Sequence, residues 1–162
     1  MDHYRKGVTL KGAQQCAPDA FPRRSQRYNV LFEEPNAMPH KILIVEDNEN
    51  NRSLFRDILS FHGYQVSVAK DGQEGVALAR QLMPDLILMD IQMPGMDGMT
   101  AGCVLKGDPA TRGLKIIALT SFAMQGDEQK FLGAGFDGYL SKPISTRELP
   151  VLVQNWLEEN KA

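Results

Sequence analysis

The sequence predicts an α/β fold: a doubly wound, five-stranded parallel sheet in the order 2-1-3-4-5, with helices on both faces. Two observations carry that expectation. Between Met38 and Ala162, five short apolar runs alternate with five stretches of helical periodicity. Most of the runs are apolar at consecutive positions, the pattern of strands buried on both faces. Such strands, joined by helical crossovers, require a parallel sheet covered on both sides. Right-handed crossovers make the sheet doubly wound, and for five strands the flavodoxin-like order is the common outcome.

The elements follow in order. KILIV, residues 41–45, is the first strand, an apolar run bounded by polar residues. Residues 48–62 form a helix with a stripe of Leu54, Phe55, Ile58, Leu59 and Phe61; Asn48 is placed to cap its start and Gly63 its end. YQVSVA, residues 64–69, alternates apolar and polar positions and is the second strand. DGQEGVALARQLM repeats the helical pattern from Asp71, which forms a cap with Gly72, and Pro84 stops it. DLILM, residues 85–89, is the third strand. Residues 99–107 make a weaker helix, opposed by Gly102 and Gly107. KIIALT, residues 115–120, is the fourth strand, and residues 122–132 a helix closed by the glycines of GAG at 133–135. DGYLS, residues 137–141, is the fifth strand, and residues 146–160 the last helix.

With 162 residues and a net charge of -2, the chain fits one domain with some excess, and no basic surplus points to nucleic acid. It has no run of about 18 apolar residues, so no membrane span is expected. Nor does it open with the charged-then-apolar pattern of a secretion signal, which suggests a cytoplasmic protein. Cys16 and Cys103 lie far apart, without C-x-x-C spacing, and read as free thiols in a reducing compartment. The composition changes near Met38. Residues 1–37 are rich in Arg, Gln, Pro and Gly, with Arg23, Arg24 and Arg27 clustered and only YNVLF, residues 28–32, apolar. So polar a segment does not offset an ordering cost of roughly 1–2 kcal/mol per residue. It reads as a disordered tail, as a short helix or strand docked on the domain or on a second copy, or as sequence upstream of a true start at Met38. Residues 38–162 are the domain.

DLILMDIQMPGMDG, residues 85–98, ends an apolar strand in Asp90 and runs into a loop of Pro94, Gly95 and Gly98. Glu46 and Asp47 end the first strand, beside the third at the topological switch point where such sheets bind ligands. Three carboxylates converging there repel one another and raise one another's pKa. A hard divalent cation relieves that, and Mg²⁺ suits few carboxylates with waters and a phosphate oxygen. The loop after Asp90 lets the backbone carbonyl of Gln92 turn toward the same cation. Thr120 ends the fourth strand and Lys142 follows the fifth. A hydroxyl and an ammonium beside clustered acids suit an oxyanion. The set fits phosphoryl transfer to Asp90, with a nucleophilic carboxylate, a metal, a hydroxyl donor and a cationic clamp.

IVEDNxxN, DLILMDIQMPGMDG, ALTSFA and YLSKPI, taken in this order and at strand ends, resemble the receiver domain of two-component response regulators. The resemblance runs from His40 to Glu159. DNENNRSLF and SFAMQGDEQ are most similar to the small, stand-alone DivK-type receivers. The resemblance implies that Asp90 is the phospho-acceptor, supplied by a sensor histidine kinase or a histidine phosphotransfer protein. It implies that Glu46 and Asp47 help hold Mg²⁺, that Thr120 is the switch hydroxyl, Lys142 the phosphate-contacting lysine and Tyr139 the switch aromatic. Lys142–Pro143 would be a cis peptide. The protein would be a signalling protein and not an enzyme, with only self-phosphorylation and self-dephosphorylation. Its output would be a changed surface of the fourth helix, fifth strand and fifth helix, read by a downstream protein target. A homodimer stays open. The chain ends soon after the last helix, so no DNA-binding or enzymatic output domain is expected. In receivers, the positions of Gln92 and Phe122 tune hydrolysis of the phospho-aspartate, and an apolar Phe122 would exclude the attacking water.

Blander readings compete at some positions. Tyr139 also suits ordinary strand packing, Asp97 a turn, and Met83, Met89 and Met93 core or near-site filling. Two other functions suit a similar sheet. A metal-dependent phosphohydrolase of similar fold usually places a second acid two residues after its nucleophile, where this chain has Gln92. A flavin-binding domain would carry a Ser/Thr/Gly-rich phosphate loop after the first strand, whereas EDNENN is acidic and repels phosphate.

Overall fold

The chain alternates strand and helix: β1 (Lys41–Val45), α1 (Glu49–Phe61), β2 (Gln65–Ala69), α2 (Gly72–Leu82), β3 (Leu86–Asp90), α3 (Gly98–Gly107), β4 (Ile116–Thr120), α4 (Asp127–Gly133), β5 (Gly138–Ser141) and α5 (Glu148–Glu158). The computed structural model describes residues 38–121 and 124–159. The expectations placed on residues 1–37, including YNVLF and Cys16, lie outside the described residues, as does the one placed on Phe122. Pro39–Ala162 form a compact unit of their own.

All strand pairs are parallel, and the sheet order is β2-β1-β3-β4-β5. Successive side chains of a strand point to opposite faces, so a strand covered on both sides is apolar along its length, and polar residues fall at its end. β3 and β4 are buried at every residue. On one face Leu43, Val45, Ile87, Met89, Ile116 and Ala118 pack against Val76, Ala79, Ala101, Leu105 and Phe131 of α2, α3 and α4. On the other, Ile42, Ile44, Leu86, Leu88, Ile117 and Leu119 pack against Phe55 and Leu59 of α1 and Leu149, Val153 and Leu157 of α5. Among the described residues, no helix is long and apolar enough to cross a membrane.

Side chains that accept backbone N–H groups start three helices. Asn48 accepts from Asn51 N at 3.1 Å, Asp71 from Glu74 N at 2.8 Å and Asp97 from Thr100 N at 2.7 Å. Asp97 is thus the N-cap of α3 as well as a turn residue.

Some boundaries differ from the sequence pattern. α3 begins at Gly98 and keeps Gly102 because a Cβ there would lie 2.3 Å from Phe136 Cζ. Packing, not propensity, selects glycine at that position. α4 begins only at Asp127, after Gly126 at φ 102°, so Met124–Gly126 are not helical as the apolar periodicity suggested. α5 begins at Glu148, two residues later than expected, with Ser145 O accepting from both Glu148 N and Leu149 N. β4 omits Lys115, whose buried ammonium donates to Trp156 O at the end of α5.

Candidate functional site

β1 and β3 are neighbours in register, Val45 opposite Met89. The chain leaving β1 therefore sets Glu46 and Asp47 beside Asp90, the last residue of β3. Carboxylate oxygens of Glu46, Asp47 and Asp90 all lie within 4.8 Å of one another. Glu46 and Asp90 are buried, at 1% and 3% exposure, while Asp47 is exposed. Lys142 enters from the end of β5. Its Nζ donates to Glu46 Oε2 at 2.6 Å and lies 3.1 Å from Asp90 Oδ2. Lys142 N also donates to Thr120 O at 2.7 Å, tying the ends of β4 and β5 together, and the following Lys142–Pro143 peptide is cis.

The backbone around the acids is held closely. Gln92 N donates to Asp90 Oδ1 at 3.0 Å, and Asn48 N to Glu46 Oε1 at 3.2 Å. The loop between β3 and α3 returns tightly, with Gly98 N donating to Ile91 O at 3.1 Å. A Cβ on Gly98 would stand 2.0 Å from Asp90 O, so only glycine lets α3 start this close to the end of β3.

Burial holds the Glu46 carboxyl above the usual carboxylate range, and the Asp90 charge acts in the same direction; the hydrogen bond from Lys142 opposes both without reversing the shift. For Lys142, burial works against the charge, but the hydrogen bond and charge of Glu46, with the charge of Asp90, outweigh it and raise its pKa. The site therefore carries three acids against one ammonium. Its donors are all hard oxygens, and the exposed Asp47 faces water, a set that fits Mg²⁺ with retained waters.

The structure brings together Glu46, Asp47, Asp90 and Lys142, with the Gln92 backbone on Asp90. Thr120 is buried at the end of β4. Tyr139 is half-buried on β5, its ring 6.1 Å from that of Phe131, so it packs as well as lying near the strand end. Arg52 received no role from sequence. Its Nη1 donates to Glu46 O at 2.8 Å and to Asp47 O at 3.1 Å. A signal existed: a cation near the start of a helix opposes the helix dipole, so it needs another reason to be there.

A doubly wound sheet with clustered acids and an ion-paired lysine at its switch point suits phosphoryl transfer to a carboxylate. Residues 42–154 match the response regulator receiver domain, and the chain belongs to that family. It is thus a two-component signalling protein, of a kind that works with kinase or phosphotransfer partners. Receiver domains bind Mg²⁺ in an acidic site, and such a cluster is present here. Over 120 residues the chain is 43% identical to the polar-differentiation response regulator DivK of Brucella anthropi, covering 74% of this chain and 98% of that protein. The DivK of Brucella ovis is 42% identical over the same length, with the same coverage. Among solved structures, the receiver domain of a sensor histidine kinase from Pseudomonas aeruginosa PAO1 superposes with a TM-score of 0.68 at 37% identity, covering 75% of this chain and 99% of that one. That structure has a magnesium ion coordinated in its active-site cleft. The chemotaxis protein CheY4 of Vibrio cholerae gives a TM-score of 0.69 at 28% identity, covering 73% of this chain and 98% of that one. Nothing in the fold, the site or these relatives supports the phosphohydrolase reading.

Proposed function

We propose that Asp90 accepts a phosphoryl group from a sensor histidine kinase or a histidine phosphotransfer protein. The observation that carries this reading is Lys142, an ammonium 2.6 Å from Glu46 Oε2 and 3.1 Å from Asp90 Oδ2 in a cluster of three acids. One carboxylate oxygen of Asp90 attacks phosphorus as the donor's phosphorus–nitrogen bond breaks, and the electron pair leaves with the imidazole nitrogen. Lys142, already aligned with that carboxylate, stabilises the negative phosphoryl oxygens. Glu46, Asp47, Asp90 and the backbone carbonyl of Gln92 would hold Mg²⁺, which when bound neutralises charge on the phosphoryl oxygens.

The same reading extends to output. The Thr120 hydroxyl donates to a phosphoryl oxygen, and Tyr139 turns toward the space Thr120 vacates. The surface of α4, β5 and α5 then differs between two states, which a downstream protein target reads. Hydrolysis at Asp90 by the protein itself resets the switch. The protein acts in the cytoplasm.

The test is intact-mass measurement after incubation with a small phosphodonor and Mg²⁺. The wild type gains one phosphoryl group and Asp90→Asn none. An equal gain in the variant overturns the assignment.

A further inference from the structure

We propose that Arg52 is a positioning residue of the acidic site: it fixes the loop bearing Glu46 and Asp47 by binding that loop's backbone carbonyls. The inference rests on the reading of this site as a Mg²⁺-dependent phospho-acceptor and adds a residue that acts on it through others.

Asp47 needs such support. Its side chain is exposed, so no packing fixes its direction. The aim of its carboxylate depends on the backbone of residues 46–48. That backbone is held on one side by the sheet, through Glu46 N donating to Ala69 O at 3.1 Å. On the other side stands α1. Arg52 Nη1 donates to Glu46 O at 2.8 Å and to Asp47 O at 3.1 Å, while Arg52 N donates to Asn48 O at 2.9 Å. The last is the first-turn bond of the helix, which any residue would make; the guanidinium itself engages the two consecutive carbonyls that follow β1.

The choice of partners is informative. A guanidinium beside three carboxylates would ordinarily pair with one of them. Among the ion pairs of the described residues, Arg52 pairs with none of the three acids. Binding carbonyls leaves the carboxylate oxygens to Lys142 and to a cation. Its place near the N-terminal end of α1 opposes the helix dipole, so helix stability does not explain it. Its charge repels a nearby cation, which would weaken binding. Its hydrogen bonds orient the ligands, which strengthens binding. The charge is partly exposed and screened, so the orienting effect dominates.

The experiment measures two quantities in wild type, Arg52→Ala, Arg52→Lys and the control Asp47→Ala. The first is Mg²⁺ affinity by calorimetry. The second, without metal, is hydrogen exchange at the Glu46 and Asn48 amides. In Arg52→Ala, affinity falls about tenfold, the low end for groups that orient metal ligands, and both amides exchange faster. Arg52→Lys, which keeps the charge and a donor, recovers part of both. Unchanged exchange in Arg52→Ala overturns the clamp. Faster exchange with unchanged or tighter Mg²⁺ binding overturns the positioning role and leaves only a structural one. Should Arg52→Ala fail to fold, Arg52→Gln, which has a shorter neutral donor, takes its place: a fall in Mg²⁺ affinity together with faster exchange at both amides supports the proposal, and loss of neither quantity overturns it. If Asp47→Ala binds Mg²⁺ like the wild type, the underlying reading of the site has failed, and the inference falls with it.

Discussion

Asp47 shows what clustering like charges costs at the scale of a single residue. Its carboxylate lies within 4.8 Å of those of Glu46 and Asp90, and two unit charges at about that distance repel by roughly 3–4 kcal/mol at an effective dielectric near 20. Exposure and salt reduce that strongly for Asp47. Asp47 takes part in none of the ion pairs among the described residues, so replacing it relieves repulsion without breaking one. Asp47→Asn is therefore expected to raise the metal-free melting temperature by about 2–4 °C, the scale of a relief of about 1 kcal/mol or less. If the site holds Mg²⁺ as proposed, the wild type gains a further rise with Mg²⁺, since ligands that bind only the folded state stabilise it, and Asp47→Asn loses that rise. Melting curves with and without Mg²⁺ check both; a lower metal-free midpoint would show that Asp47 is held by favourable contacts. The meeting of these acids was legible in the sequence because acidic residues at the ends of neighbouring parallel strands are brought side by side. Arg52 was not, because its partners are backbone carbonyls, which leave no mark on residue types.

Among the elements, the strands were legible to within a residue and the helix ends less so. A strand buried on both faces must be apolar throughout, and only β1, β3 and β4 meet that closely. The ends of helices answer to local hydrogen bonds and distant packing as well. Asn48 and Asp71 cap helices through side chains whose type announces them, whereas Asp97, read from sequence as a turn residue, proves to be the cap of α3 as well. α4 and α5 have no side-chain cap, and both begin later than their apolar pattern suggested. Asp97 allows a measurement. The backbone hydrogen bond from Thr100 is the largest of the effects that hold its carboxyl below the usual range. A depressed folded pKa stabilises the protein above the unfolded value and ceases to do so as pH falls through the folded one. Asp97→Ala should cost about 1 kcal/mol near neutral pH, and Asp97→Asn, which keeps an acceptor, less. Urea midpoints of wild type and Asp97→Ala should converge as pH is lowered below the usual carboxylate range. A gap that stays constant with pH would show that the carboxylate's charge contributes nothing to the cap.

For the whole molecule, the sheet order decides where chemistry happens. β1 leaves toward β2 on one side and β3 lies on the other, so the chain ends after β1 and β3 open into one crevice. β4 and β5 add Thr120 and Lys142 to the same edge. Every element that builds this edge, and both apolar clusters, lies within Pro39–Ala162. A unit with its own complete core is expected to fold alone. A chain beginning at Met38 should therefore unfold in one cooperative transition, with a midpoint within about 2 °C of the full chain's, less than 1 kcal/mol would move it. It should also keep Mg²⁺-dependent phosphorylation at Asp90. Calorimetry of both chains, followed by intact-mass analysis after exposure to a small phosphodonor, checks the two halves separately. A midpoint several degrees lower would mean that residues 1–37 stabilise the domain by docking. An unchanged midpoint with lost phosphorylation would mean that they act on the site itself.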